Sequence, residues 1–349
     1  MAVNLVSAPP YDPKLAAFYG QLVNVAYDMY DNDPNNQTPP PPSQLPGNYK
    51  FVAWVQMQDF FIWERPYTFY GLVAQNPSAA NEYVLAIRGT SNPIEWWDDF
   101  ASMDLTPMPG FDNVNVGYGF YQIYQTLRVI YRPRLAPPPP GMVPPSESLE
   151  AAGSFADQVA AAVRRYAAES TPPGVGPSAR MSIIVAGHSL GSALATLYVA
   201  ENSVKQQVQT PLLCTLASPR VGDQAFATKF DALGMGSWRI VNKPDVVPDL
   251  PFSFLGFEHV ESQHLYDSSS WTTISLDCWH SIDTYLHLLD PKLLPLPSCI
   301  SVSARKRPLA LGARKLRAPA AHALAAPAKS EIAVAAPAGS TINITIKVG

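Results

Sequence analysis

Apolar positions along the chain follow two rhythms. Leu15, Phe18, Leu22, Val25, Ala26 and Met29 fall three and four residues apart, which predicts an amphipathic helix over 13–31. Residues 32–47 are rich in Asn, Pro, Gln and Gly, with an unbroken run from Pro39 to Pro42, and read as a loop. Beyond it the rhythm changes to short apolar runs. Tyr49 to Gln56 and Phe60 to Trp63 read as strands. Tyr70 to Ala74 and Glu82 to Arg88 flank a short polar loop and predict an antiparallel hairpin leading into a sheet.

The second half alternates strands with helices. Residues 116–132 and 149–169 predict helices, separated by a proline-rich stretch over 133–148 that reads as a stiff, exposed insertion. Ser182 to Ala186 is apolar throughout, as a strand buried on both faces of a parallel sheet must be. A Leu-, Ala- and Ser-rich helix then runs from Leu190 to about Glu201. A buried strand over 211–218, a helix around 225–233 and a strand from Ser237 follow. The alternation predicts an α/β fold with a mainly parallel central sheet flanked by helices. Residues 1–300 form one such domain, and 301–349 a basic Ala- and Pro-rich tail. The tail's end alternates over 341–348 and reads as one strand in need of a partner edge.

Between the strand ending at Ala186 and the helix from Leu190 lies Gly187-His188-Ser189-Leu190-Gly191. A serine on so sharp a strand-to-helix turn sits in strained backbone geometry, and side chains two positions either side would strike the neighbouring helix and strand. The turn lifts the hydroxyl off the sheet at a helix N-terminus, where backbone N–H groups favour developing negative charge. A serine alcohol becomes a nucleophile only when a base takes its proton and an acid orients that base. In chain order an acid and then a histidine follow the serine in this type of fold. Asp245 stands at a strand end, with Asp249 less well placed. His280 lies where a loop becomes a helix, in reach of Ser189. His259 and His264 fall in a polar segment, although His259 could line the cleft. His287 is mid-helix, His322 is in the tail, and His188 is expected to pack behind the turn. Arg88-Gly89-Thr90 ends a strand, so Thr90 and the N–H of Leu190 are candidate oxyanion donors, with a plain turn as the alternative at Thr90.

Residues 91–111 carry Ile94, Trp96, Trp97, Phe100, Met103, Leu105 and Met108 among acids, bounded by prolines. They read as a lid over an apolar cleft, with Trp96, Trp97, Phe100 and Met103 facing lipid, or else as a helix packed permanently in the core. Of the 24 Lys and Arg, eight lie in residues 301–349 with only one of the 28 acids, so the first 300 residues carry −11 and the tail +7. An acidic body argues against nucleic acid as a partner, while the tail suits the body's own acidic surface or an anionic lipid. Three cysteines make no disulfide scaffold. Cys214 reads as a buried thiol, and Cys278 and Cys299, which are able to pair, are expected as free thiols in a reducing compartment. No basic, apolar leader and no 18-residue apolar stretch is visible, so a soluble, cytoplasmic protein is expected.

Taken together, these pieces resemble the class 3 lipase family. The resemblance spans about 50–290 and is carried by Tyr-Val-Leu-Ala-Ile-Arg-Gly-Thr at 83–90, Glu95 to Asp99, Gly119-Phe120 with Tyr124, and the stretch 187–195. Ala217 to Asp223, Arg239 to Pro248, and His280 with Tyr285 complete it. It implies an α/β-hydrolase fold, a triad of Ser189, Asp245 and His280, and oxyanion donors at Thr90 and Leu190. It implies hydrolysis of acylglycerol esters at a lipid–water interface, without metal or organic cofactor. A soluble carboxylesterase, a feruloyl esterase or a phospholipase A1 on the same fold, and a lipid-binding pseudo-enzyme, are the competing expectations. Fungal members are secreted with several disulfides, features this sequence does not predict.

Overall fold

The structure is a computed structural model and describes residues 9–58, 66–90, 104–133, 146–170, 180–301, 304, 332–336 and 340–344. The expected strand at 60–63, the Pro-rich stretch 134–145, His322, and the lid residues Trp96, Trp97, Phe100 and Met103 lie outside the described residues.

Helix α1 (Pro13–Asn32) begins where Asp12 accepts the N–H groups of Lys14 and Leu15 and Pro13 sets the first turn. Strands β1 (Lys50–Met57), β2 (Thr68–Gln75) and β3 (Glu82–Ile87) form an antiparallel meander, with Gly71 opposite Ile87 and Lys50 opposite Gln75. Strand β4 (Leu105–Pro107) pairs with β5 (Asn115–Gly117). The lid expectation over 91–111 therefore needs correction at its C-terminal end. Leu105 sits in a strand, and Met108 and Phe111 are buried in the core.

The single helix expected over 116–132 is two elements: α2 (Tyr118–Gln125) and strand β6 (Arg128–Tyr131), which pairs antiparallel with β1. Thr126 ends the helix, its hydroxyl donating to the Ile123 carbonyl, and Val129, Ile130 and Tyr131 are residues that favour strands. Strand β7 (Glu147–Ser148) adds to β6, and helix α3 (Phe155–Ser170) starts later than the expected 149 because Glu150–Ala152 form a separate turn closed by Gly153.

Strand β8 (Ser182–His188), helix α4 (Leu190–Lys205), strand β9 (Leu212–Leu216), strand β10 (Gly222–Asp223) and helix α5 (Gln224–Asp231) follow. Next come β11 (Gly236–Asn242), β12 (Phe257–Glu258), β13 (Gln263–Tyr266), α6 (Leu276–His280) and α7 (Ile282–Leu289). In the tail β14 (Ile332–Ala336) pairs antiparallel with β15 (Ser340–Ile344), so the terminal strand finds its partner edge in the tail itself.

The main sheet runs β13-β11-β9-β8-β3-β2-β1-β6-β7. Its half from β3 to β13 is parallel, and the other half is the antiparallel meander. Helices α1 and α7 cover one face around Leu22, Ala26, Tyr285 and Leu286, and α2, α3 and α4 cover the other around Phe120, Val159 and Leu194. This is the α/β-hydrolase arrangement. Cys278 and Cys299 are disulfide-bonded, against the expectation of free thiols. Twenty-one residues apart in sequence, they meet because Thr273 N–H donates to Cys299 and Ser301 N–H to Trp271, laying one segment beside the other. Cys214 is the expected buried free thiol.

Candidate active site

The parallel half of the sheet delivers three groups to one edge. Ser189 follows β8 directly, with φ 57° and ψ −130°. Its N–H is spent on the Leu216 carbonyl at the end of β9 (3.0 Å), which anchors the turn to the neighbouring strand. Both flanking glycines are required by packing. A methyl at Gly187 would enter the backbone of Gly191 and Ser192, and one at Gly191 would enter the carbonyl oxygens of Ile87 and Arg88. The strain at Ser189 is thus held by close backbone contact on both sides.

Asp245 lies in the turn after β11 and is 3% exposed. His280 ends α6. Its Nδ1 lies 2.9 Å from Asp245 Oδ2, and its Nε2 lies 2.8 Å from Ser189 Oγ. A carboxylate only accepts, so Nδ1 carries the proton, and the Nε2 of a neutral ring is left to accept from the serine hydroxyl. Asp245 also accepts the Tyr285 hydroxyl (2.7 Å) and the Val247 N–H (3.0 Å). Burial, reinforced by the Asp245 charge, pushes the Tyr285 phenol well above its ordinary pKa, so it remains a donor. The structure therefore brings Ser189, His280 and Asp245 into one hydrogen-bonded line.

The backbone under His280 is tied at three successive carbonyls. Thr284 Oγ1 donates to Cys278 (2.6 Å), Asn242 Nδ2 to Trp279 (2.8 Å), and His188 Nε2 to His280 (2.9 Å). His188 is 2% exposed, and burial holds its pKa well below the usual histidine value, as does the adjacent His280. Neutral, with its proton on Nε2, it accepts the Tyr27 hydroxyl at Nδ1 (2.8 Å).

Thr90 stands just past the C-terminal end of β3, beside the turn, and Leu190 opens α4, where its N–H has no carbonyl one turn earlier to bond. The other candidates fall away from this line. His259 donates to the Pro248 carbonyl, His264 stacks on Tyr11, His287 bonds the Leu293 carbonyl, and Asp249 lends its backbone carbonyl to Arg220. Tyr27 is the residue that sequence reasoning missed. It belongs to α1, 162 positions before Ser189, and no local pattern marks it. Among the described residues no cluster of three or more His, Cys, Asp or Glu is placed to hold a metal ion, and no helix is long and apolar enough to cross a membrane.

Residues 84–255 match the family model described as Lipase (class 3). Phospholipase A1-II 3 of Oryza sativa subsp. indica is 30% identical over 62% of this chain and 52% of its own length. The lipase of Rhizomucor miehei is 33% identical over 31% of this chain and 33% of its own. The chain spans about half the length of the rice relatives it matches. In fold, the chain superposes on the native Rhizomucor miehei lipase propeptide complex with a TM-score of 0.51, at 21% identity over 84% of this chain and 85% of that one.

Proposed function

The chain belongs to the class 3 lipase family, and on that premise we propose that it is a serine ester hydrolase that cleaves the acyl esters of acylglycerols. The observation that carries the proposal is the Ser189–His280–Asp245 line at 2.8 and 2.9 Å. His280 Nε2 takes the hydroxyl proton as Ser189 Oγ attacks the ester carbonyl. The oxyanion that forms is met by the N–H groups of Thr90 and Leu190, donors whose individual loss costs about 2.7–4 kcal/mol of barrier in comparable sites. Asp245 keeps the Nδ1 proton in place and offsets the imidazolium charge. His280 then gives its Nε2 proton to the departing alkoxide, leaving an acyl-serine. Water attacks next, His280 takes one of its protons, and that proton returns to Ser189 Oγ as the carboxylic acid leaves.

The Cys278–Cys299 bond supports a working environment oxidising enough to keep it, against the expected cytoplasmic one. A second reading, phospholipase A1 activity, is favoured by the named activity of the rice relative. Release of fatty acid from triacylglycerol and from the sn-1 position of phosphatidylcholine, measured side by side, separates the two. A rate that climbs as a short-chain ester passes its solubility limit supports action at lipid surfaces, and a plain saturating curve supports a soluble esterase. Ser189→Ala should lower every one of these rates by on the order of 10⁴-fold or more. Turnover that survives the substitution would overturn the mechanism.

A further inference from the structure

Thr90 lies three residues past the end of β3, and an oxyanion donor is useful only if it is aimed in advance. Gly89, the residue before Thr90, is gripped at both of its backbone polar groups. The Gly89 carbonyl accepts Arg88 NH1 (2.8 Å), and the Gly89 N–H donates to the Tyr27 hydroxyl (2.7 Å). A trans peptide carries its C=O and N–H in opposite directions. Pinning the Gly89 oxygen therefore fixes where the Thr90 N–H points. Arg88 is itself immobilised: it is 2% exposed, its Nε and NH2 both donate to the Phe69 carbonyl, and its guanidinium lies 3.7 Å from the Tyr30 ring centroid and 4.4 Å from that of Tyr70.

Tyr27 carries the grip onward. Its hydroxyl accepts from Gly89 and donates to His188 Nδ1, and His188 Nε2 donates to the carbonyl of His280. Donors run in one direction through four groups, each satisfied. A methyl on Gly89 would strike the Tyr27 hydroxyl, the Ser189 Cβ and the His188 carbonyl, so the loop is seated against the nucleophile as well as against the two residues it is wired through.

We propose that Arg88 and Tyr27 are positioning residues that hold Gly89 by its carbonyl and its N–H on either side of its Cα and so keep the Gly89–Thr90 peptide aimed as an oxyanion donor, and that Tyr27, through His188, locks that donor in register with His280. The proposal rests on the ester-hydrolase reading above. Neither residue touches substrate. Their effect must then appear where the tetrahedral oxyanion is bound and be absent where ground-state substrate is bound.

The test uses Tyr27→Phe, which removes one oxygen and keeps the ring, and Arg88→Lys, which keeps the charge but loses the fork of donors. Turnover of a soluble p-nitrophenyl ester and inhibition by a boronic acid, which forms a tetrahedral adduct on Ser189, are measured on the full chain. Each variant should lose roughly tenfold to a hundredfold in kcat, less than the 10²–10³ for deleting a donor outright, with KM within about twofold. The boronate inhibition constant should rise by the same factor as kcat/KM falls. Long-range ¹H–¹⁵N spectra of histidine-labelled protein should also show the His188 Nδ1 signal move in Tyr27→Phe. Two variants keep the test alive if one fails to fold. Wild-type kcat and boronate affinity in the folded variants would overturn the clamp, as would equal losses in kcat and substrate binding. If instead wild type shows no turnover that Ser189→Ala abolishes, it is the ester-hydrolase reading that falls.

Discussion

The turn at 187–191 and the loop at 88–90 meet at the same point, yet they are held by different means. The turn is made by its own neighbours: a strand on one side, a helix on the other, and two glycines that admit the backbone contacts. The loop adds to its own Arg88–Gly89 contact support borrowed from elsewhere. Its fixed groups come from Tyr27 and Tyr30 on α1 and from Phe69 and Tyr70 on β2. The strained serine costs local free energy that contiguous structure can hold. A donor that must point outward has to be braced from behind by groups that approach from elsewhere in the chain. A damaged turn should therefore fail as a fold, and a damaged brace should fail first as a catalyst.

The largest effect should come from the turn. Gly191→Ala places a methyl against the Ile87 and Arg88 carbonyls, backbone that cannot step aside, and should cost about 3 kcal/mol or more in chemical denaturation. A variant of unchanged stability would show the turn to be looser than its contacts indicate. The Cys278–Cys299 bond, two residues from His280, comes next. Its loss in Cys278→Ser should cost about 3 kcal/mol, read from the denaturation midpoint with and without reductant. Tyr30→Leu, on the brace, should cost only about 1–2 kcal/mol by removing the ring over Arg88. It should lower turnover more than its stability loss suggests, and a loss confined to stability would remove Tyr30 from the brace.

Acid should stress two buried histidines, of which His188 lies at this junction. The His188 pKa is depressed in the fold by burial, and that of His259 is pushed down to about 3 by burial and then by Arg239. The unfolded chain binds these protons from about pH 6.5 downward while the folded chain does not, so stability falls as pH drops through 6.5. Thermal midpoints at pH 7.5, 6.5 and 5.5 should decline, and His259→Gln should flatten the decline. The smallest effect is chemical: burial pushes the Cys214 thiol up to about 12, so it should resist a disulfide reagent until the protein unfolds.

Much of this was legible in the chain. Period and run length marked α1, the hairpin of β2 and β3, and β8 with α4, because each buries a face its own spacing defines. The stretch 116–132 misled because both α2 and β6 are apolar enough to extend either pattern, and the break at Thr126 shows only once β1 offers an edge for β6. The expected lid ran too far because Met108 and Phe111 look amphipathic in isolation and are core residues in place. The cysteine pair turned on how the segments at 271–273 and 297–301 pair, which spacing cannot supply.

The sequence by itself determined the alternating strands and helices, the serine turn with its two glycines, and an ordered set of acid and histidine candidates, since these follow from local sterics and from hydrophobic period. Only the tertiary structure decided how His280 is held against Ser189, that His188 is a neutral bridge, and that Tyr27 and Arg88 brace Thr90. Those choices depend on distances between residues far apart in the chain, set when the two faces of the sheet are covered, and no local pattern carries them.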